Sequence, residues 1–239
     1  MIPKVIHYCW FGGNPLPELA IKCIKSWKEY LPEYDIKEWN ESNFNLNSFT
    51  FTREAYDAKK YAYVTDVVRL YALKTEGGIY MDTDVEILKN LDVFLKHTAF
   101  SGFESDKSIP TGIMASEKNG AWASDMLIYY SDKKFIDKSG KPILKTNVVV
   151  ISEMMKNKGI QLNNTLQEIQ DYITFYPSDY FCPKSPSNGE INLTVNSYCI
   201  HHFAGSWASP PSRSILLKQK LHRIAEIIIG KKALYSILK

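Results

Sequence analysis

The segment AYVTDVVRLYALKTEGGIYMDTDVEIL, residues 62–88, decides the fold. Val64, Val67, Val68, Tyr71 and Ala72 recur at helical spacing and form one apolar stripe. Leu70 and Leu73 lie on the other side, and a helix apolar on both sides is buried. Glu76-Gly77-Gly78 ends it, with Gly77 suited to a left-handed C-terminal cap. Ile79-Tyr80-Met81 then opens a buried strand that runs into Asp82-Thr83-Asp84 and continues through residues 85–88.

Working outward, VIHYCWF (residues 5–11) reads as a buried first strand ended by Gly12-Gly13-Asn14-Pro15. A helix follows over 16–30, a short strand over 34–39, a polar loop over 40–52 and a helix over 53–60. Later strands are expected at 99–103, 112–115 and 198–203, and helices at 121–130 and 146–158. Residues 176–197, rich in Pro, Ser and Asn, read as a long loop suited to acceptor determinants or a lid. This alternation predicts an α/β fold with a largely parallel sheet.

At 239 residues, with 45% apolar and 23% charged residues, the chain has the composition of a globular domain and not of a disordered or coiled-coil one. A net charge of +3 is too small to point to nucleic acid, and none is expected as a partner. From Arg213 onward seven basic residues face one acid, Glu226, so a tail of +6 follows a body of −3. Four cysteines with no C-x-x-C pair, no signal peptide and no long apolar run predict a cytoplasmic protein. No G-x-G-x-x-G follows the first strand, and Walker A, H-E-x-x-H and G-x-S-x-G motifs are missing. Simple dinucleotide oxidoreductases, P-loop ATPases, zincins and α/β hydrolases lose their case.

Residues two apart on a strand share a face, so Asp82 and Asp84 are expected to aim at one spot. Two carboxylates so close repel unless a cation sits between them, and a hard divalent ion carrying a phosphate ligand fits. Asp66 and Arg69, three apart on the buried helix, would cost several kcal/mol without partners, roughly, which marks a site. Arg69 can grip a phosphate, and Asp66 can accept sugar or ribose hydroxyls. In Tyr198–Trp207 (YCIHHFAGSW) neighbouring His201 and His202 face opposite ways, so one can meet a metal while the other packs.

Three blocks together resemble the "sugar-binding region containing DXD" transferases, glycosyltransferase family thirty-two. They are Ile2-Pro3-Lys4-Val5-Ile6-His7-Tyr8-x-Trp10-Phe11-Gly12, Thr65-Asp66-x-x-Arg69 through Gly77-Gly78-Ile79-Tyr80-x-Asp82-x-Asp84, and His201-His202-x-x-Gly205-Ser206-Trp207. The family holds bacterial capsule and O-antigen enzymes, yeast initiating mannosyltransferases and clostridial toxin glucosyltransferases. The resemblance implies a GT-A fold with a Rossmann-like, mostly parallel sheet flanked by helices. It also implies a nucleotide-sugar donor, Mn²⁺ or Mg²⁺, and retention of anomeric configuration.

By that resemblance Asp84 and Asp82 bind metal, with Asp82 also on the donor, and Asp82, Asp84 and Arg69 carry catalysis. Trp10, Phe11, Asp66, Gly78 and Tyr80 belong to the donor site, with Trp10 and Phe11 flanking the base. Ser206 and Trp207 close over the diphosphate. Where the toxins use a carboxylate near the lid, this chain has His201-His202, and His202 is the expected ligand. The implied reaction moves a hexose, first from a UDP-sugar, to a saccharide or lipid-linked acceptor in capsule or O-antigen synthesis. A sugar-phosphate nucleotidyltransferase and a non-catalytic saccharide-binding protein are the rivals.

The expected domain division is a catalytic domain over 1–212 and a basic amphipathic tail over 213–239. Leu217, Leu221, Ile224 and Ile228 give the tail an apolar stripe, which either docks on the domain or lies on the anionic inner face of the cytoplasmic membrane.

Overall fold

The computed structural model describes residues 1–109, 112–186 and 188–205. Ser206, Trp207 and the basic tail therefore lie outside the described residues, and Met1–Ala204 forms one compact unit.

The first strand is β1 (Val5–Cys9), followed by α1 (Glu18–Tyr30) and β2 (Asp35–Trp39). Then come α2 (Thr50–Asp57), α3 (Tyr61–Glu76), β3 (Gly78–Met81) and β4 (Val85–Ile87). The remainder is β5 (Ala99–Gly102), β6 (Ile113–Ser116), α4 (Ala121–Ile128), α5 (Asn147–Asn157), β7 (Gln167–Ile169), β8 (Ile173–Tyr176), α6 (Ser178–Phe181) and β9 (Cys199–His201). Seven strands form one sheet in the order β2-β1-β3-β6-β5-β8-β7, and β4 pairs with β9 in a second, two-stranded sheet. In the large sheet β1, β2, β3, β5 and β8 run one way, and only β6 and β7 oppose them. The expected mostly parallel α/β architecture is thus present.

β1 sits between β2 and β3, so the crossover through α1 and the crossover through α2 and α3 travel in opposite directions. Right-handed connections then put their helices on opposite faces. The packing follows that rule. Trp27 of α1 packs with Ile6, Tyr8, Ile79 and Met81 on one face, and Val64, Val67 and Val68 of α3 pack with Cys9 and Tyr80 on the other. The alternation of strand side chains sorts each residue to its face. α3 buries nine residues, including Asp66 and Arg69, as its two-sided apolar pattern predicts. Gly77 closes it at φ +73°, where a Cβ would also strike the Lys118 backbone at 2.6 Å.

The strands diverge from expectation after Met81. β3 stops there, and residues 85–87 join a different sheet with β9. β7 and β8 lie in a stretch with no strand expected.

His7, fully buried in β1, ties this region together. Its Nε2–H donates to the Gly77 carbonyl (2.7 Å), and its Nδ1 accepts from the Trp39 indole N–H (3.1 Å). Burial lowers its pKa below the ordinary 6.5, and a proton on Nδ1 would set two donors against each other. The unfolded chain therefore takes up this proton first as pH falls. His7 contributes stability that is present above pH 6.5 and lost as pH drops through the folded pKa. His7→Gln should show a smaller fall in thermal midpoint between about pH 7 and 5 than the unaltered chain; equal acid slopes would refute this.

Candidate active site

Asp82 and Asp84 converge, but not by strand alternation. They lie in the turn that leaves β3 for β4, closed by the Val85 N–H on the Asp82 carbonyl (3.0 Å). Each end is held by a partner distant in sequence. The Asp82 N–H donates to the Gly112 carbonyl (2.8 Å), and the Asp84 carbonyl accepts from the His202 N–H (3.0 Å). The Asp84 carboxylate accepts from the Ala204 N–H (2.7 Å). A turn can aim both side chains at one spot because its two flanking strands belong to different sheets.

The acids lie just past the carboxyl end of β3, which pairs with β1, at the binding edge of open α/β sheets. His201 Nε2 stands 3.3 Å from Asp84 Oδ1 and 3.9 Å from Asp82 Oδ2. One ligand atom from each of the three residues lies within 4.8 Å of the others, close to twice a metal–oxygen bond of roughly 2.0–2.6 Å. Two carboxylates and one imidazole suit Mn²⁺ or a similar divalent ion. The residues therefore fit a metal.

His202, the expected ligand, does not take this place. Its Nε2 meets Glu86 Oε2 at 2.7 Å, and Glu86 also pairs with Lys22. The reason is the pleat of β9. Adjacent residues face opposite sides, and pairing of His201 with Val85 turns His201 toward the acids.

Arg69 closes the other side. Its guanidinium is 3.1 Å from Asp82 Oδ1 and 3.7 Å from Asp66 Oδ1, and its Nε–H donates to the Thr65 carbonyl (3.3 Å). It lies over the Tyr80 ring at 4.5 Å, while the Tyr80 hydroxyl donates to Asp82 Oδ1 (2.7 Å). With only 6% of its side chain exposed, Arg69 fixes Asp82 from within the protein. Asp66 accepts from the Asn147 N–H at the start of α5 (3.2 Å).

The electrostatics follow from burial and pairing. Burial pushes Asp66 up, to about 7, against the pull of Arg69. Burial also opposes charge on Asp84, but His201 and the Ala204 N–H outweigh it and hold the carboxyl below its usual range. Burial likewise opposes charge on His201, yet Asp84, with Cys182 and Asp82, carries it up to about 10. The cluster is two acids gripped by positive charge from either side.

The other expected donor residues fall in two groups. Trp10 is half-buried just after β1, its indole N–H on the Asn14 carbonyl (2.6 Å). Phe11 is 5% exposed and packs in the core. Gly78 serves the sheet. A Cβ there would stand 2.5 Å from the Val5 carbonyl.

Gly112 was not anticipated as a site residue. Beyond accepting the Asp82 N–H, it lies against the His201 ring, where a Cβ would come within 2.8 Å of Nδ1. Gly112→Ala should leave the fold intact and weaken Mn²⁺ binding at least tenfold, roughly, because ligand placement of a few tenths of an ångström matters. Calorimetric titration with Mn²⁺ checks this, and an unchanged affinity would rule the role out. No sequence pattern marks such a glycine, since its contact is with His201, 89 positions away.

Residues 17–101 match the family described as "Glycosyltransferase sugar-binding region containing DXD motif". That stretch carries α3 and the Asp82–Asp84 turn. Inositol phosphoceramide mannosyltransferase 3 of Schizosaccharomyces pombe is 31% identical over 121 residues, 49% of this chain and 34% of the relative. A mannosyl phosphorylinositol ceramide synthase of Saccharomyces cerevisiae is 29% identical over 124 residues, 48% of this chain and 32% of the relative. The chain thus spans about a third of the length of these curated relatives. Among solved structures, the PaToxG glycosyltransferase is similar with a TM-score of 0.48 and 20% identity, over 66% of this chain and 70% of that one.

Proposed function

We infer that this chain is a metal-dependent, retaining glycosyltransferase of GT-A type. It moves a hexose from a nucleotide-sugar, first a UDP-sugar, to a saccharide acceptor. The convergence of Asp82, Asp84 and His201 within 4.8 Å, with Arg69 behind Asp82, carries this reading. The family match over residues 17–101 supports it. A lipid-linked acceptor is supported by the names of the two yeast relatives, both of which describe ceramide-based glycolipids. A role in bacterial capsule or O-antigen synthesis is the reading drawn from the sequence resemblance, and action at the inner face of the cytoplasmic membrane is drawn from the basic sequence of residues 213–239.

Asp82, Asp84 and His201 would hold the divalent ion, which when bound supplies Lewis-acid stabilisation of charge on a diphosphate leaving group. The chain's own residues do the rest. Arg69 and the Tyr80 hydroxyl keep Asp82 Oδ1 engaged and leave Oδ2 toward His201. The Ala204 N–H engages Asp84 Oδ2 and leaves Oδ1 toward His201. Trp10 offers a ring face to the base, and Asp66 offers an acceptor for sugar hydroxyls. Ser206 and Trp207 complete the donor site in this reading.

The test is product analysis with UDP-hexoses and GDP-mannose, with Mn²⁺ and with chelator. Release of nucleoside diphosphate only when Mn²⁺ is present is the expected outcome. Pyrophosphate formed from a sugar phosphate and a nucleoside triphosphate would mark a nucleotidyltransferase instead. No turnover of any donor, with unaltered donor binding in Asp84→Asn, would mark a saccharide-binding protein.

A further inference from the structure

The stretch between α4 and α5 folds as a hairpin. Ile136 bridges to Pro142, and the Ile143 N–H donates to the Phe135 carbonyl (2.7 Å). The Asp137 carboxylate closes the turn by accepting from the Ser139 and Lys141 N–H groups (2.8 and 2.9 Å). Its base is anchored. Phe135 is fully buried against Phe51 and Tyr63, and Glu54 accepts from the Phe135 and Ile136 N–H groups (2.8 and 2.9 Å). Beyond that base, residues 137–145 are exposed throughout.

The exposed end is apolar and basic at once. Ile143 is 43% exposed and Leu144 61%, and Val149 in the first turn of α5 is 43% exposed. The same stretch carries Lys133, Lys134, Lys138, Lys141 and Lys145, against Asp132 and Asp137. Both acids are engaged, Asp132 with Lys133 and Asp137 in the turn. Lys145 pairs with Glu153 of α5, so five lysines less two aspartates and that glutamate leave +2 over residues 132–153.

Apolar side chains interspersed with lysines, on a hairpin held rigidly at its base, match an anionic bilayer interface. The side chains enter the acyl boundary, and the lysine stems lie along it with their charges at the phosphates. We propose that the hairpin over residues 133–149 docks the protein on an anionic phospholipid surface. An acidic protein groove shares the charge complementarity, but the apolar residues sit on a protruding end that a groove would have to be shaped to receive.

The hairpin leads straight into the site. It ends at Asn147, whose N–H meets Asp66 and whose side-chain amide donates to the Asp66 carbonyl (3.4 Å). The docked hairpin is thus continuous in the chain with Asn147, which contacts Asp66, and a lipid-linked acceptor would lie in the same membrane. That last consequence rests on the proposed function; the docking does not.

The test is co-sedimentation of the full chain with vesicles of phosphatidylcholine, with and without phosphatidylglycerol. The chain should pellet with the anionic vesicles only. Ile143→Glu with Leu144→Glu should weaken this at least tenfold, roughly, as should Lys138→Glu with Lys141→Glu. Both pairs should keep the original thermal midpoint, since the residues are exposed; if the first pair fails to fold, the lysine pair decides. Unchanged vesicle binding in the deciding pair, or none by the unaltered chain, overturns the proposal. Retention on soluble polyglutamate without vesicle binding also overturns it, in favour of an acidic protein partner. Donor hydrolysis measured in parallel keeps the two readings apart, because hydrolysis without vesicle binding sinks the docking alone.

Discussion

Arg69→Met should lower the free energy of unfolding by about 3–5 kcal/mol, the usual cost of breaking a buried ion cluster by removing one partner. Methionine fills much of the same volume, so the loss comes from charge and not from a cavity. Asp82 and Asp66 would both lose the guanidinium that faces them at 3.1 and 3.7 Å. The effect should grow with pH. Asp66 already has a folded pKa raised from 3.8 to about 7, with burial raising it and Arg69 holding it down. An acid whose folded pKa is raised has its stability at low pH and loses it as pH rises toward the folded value. Without Arg69 that value climbs further, so the decline extends to higher pH. Urea unfolding at pH 5 and pH 8 measures both effects, and a methionine variant as stable as the original at pH 8 would show that the cluster is not held by Arg69.

Asp84→Ala is expected to have the largest effect on turnover, a drop in kcat of at least ~10³, since it removes a preorganised ligand for the charge that develops on the leaving group. Its thermal midpoint should fall as well, because His201 and the Ala204 N–H lose the carboxylate they pair with. The informative contrast is with the two histidines. His201→Ala should follow Asp84→Ala in losing Mn²⁺ affinity. His202→Ala should retain it, because His202 faces Glu86. If His202→Ala loses the metal and His201→Ala keeps it, the arrangement of the acid cluster is wrong.

Much of the framework was legible in the sequence because it rests on local periodicity. The double apolar stripe of residues 62–75, the Gly77 stop and the apolar residues 79–81 read directly as a buried helix feeding a central strand. The same stretch located Asp66, Arg69, Asp82 and Asp84. Strand alternation gave the wrong reason for the convergence of the two aspartates, since period two holds only within a strand and the chain changes sheets between them. Alternation also showed that only one of His201 and His202 could face the acids, but which one depends on register with β4, a long-range property. β7 and β8 escaped notice because short strands flanked by polar residues carry little periodic signal. Trp10 and Phe11 follow β1 side by side, and the resemblance assigned both to the base, but burial separates them, with Trp10 half-buried and Phe11 packed in the core.

The small β4–β9 sheet has a bearing on the order in which the protein is made. The Asp84 carboxylate is fixed by a backbone N–H at residue 204, 120 positions downstream, and His201 arrives on the same strand. As the chain emerges from the ribosome, β1 to β3 can pair while the acids still lack those two partners. Joining segments so far apart is entropically slow. Competence to grip a cation should therefore appear as one of the last events of maturation, well after most secondary structure has formed.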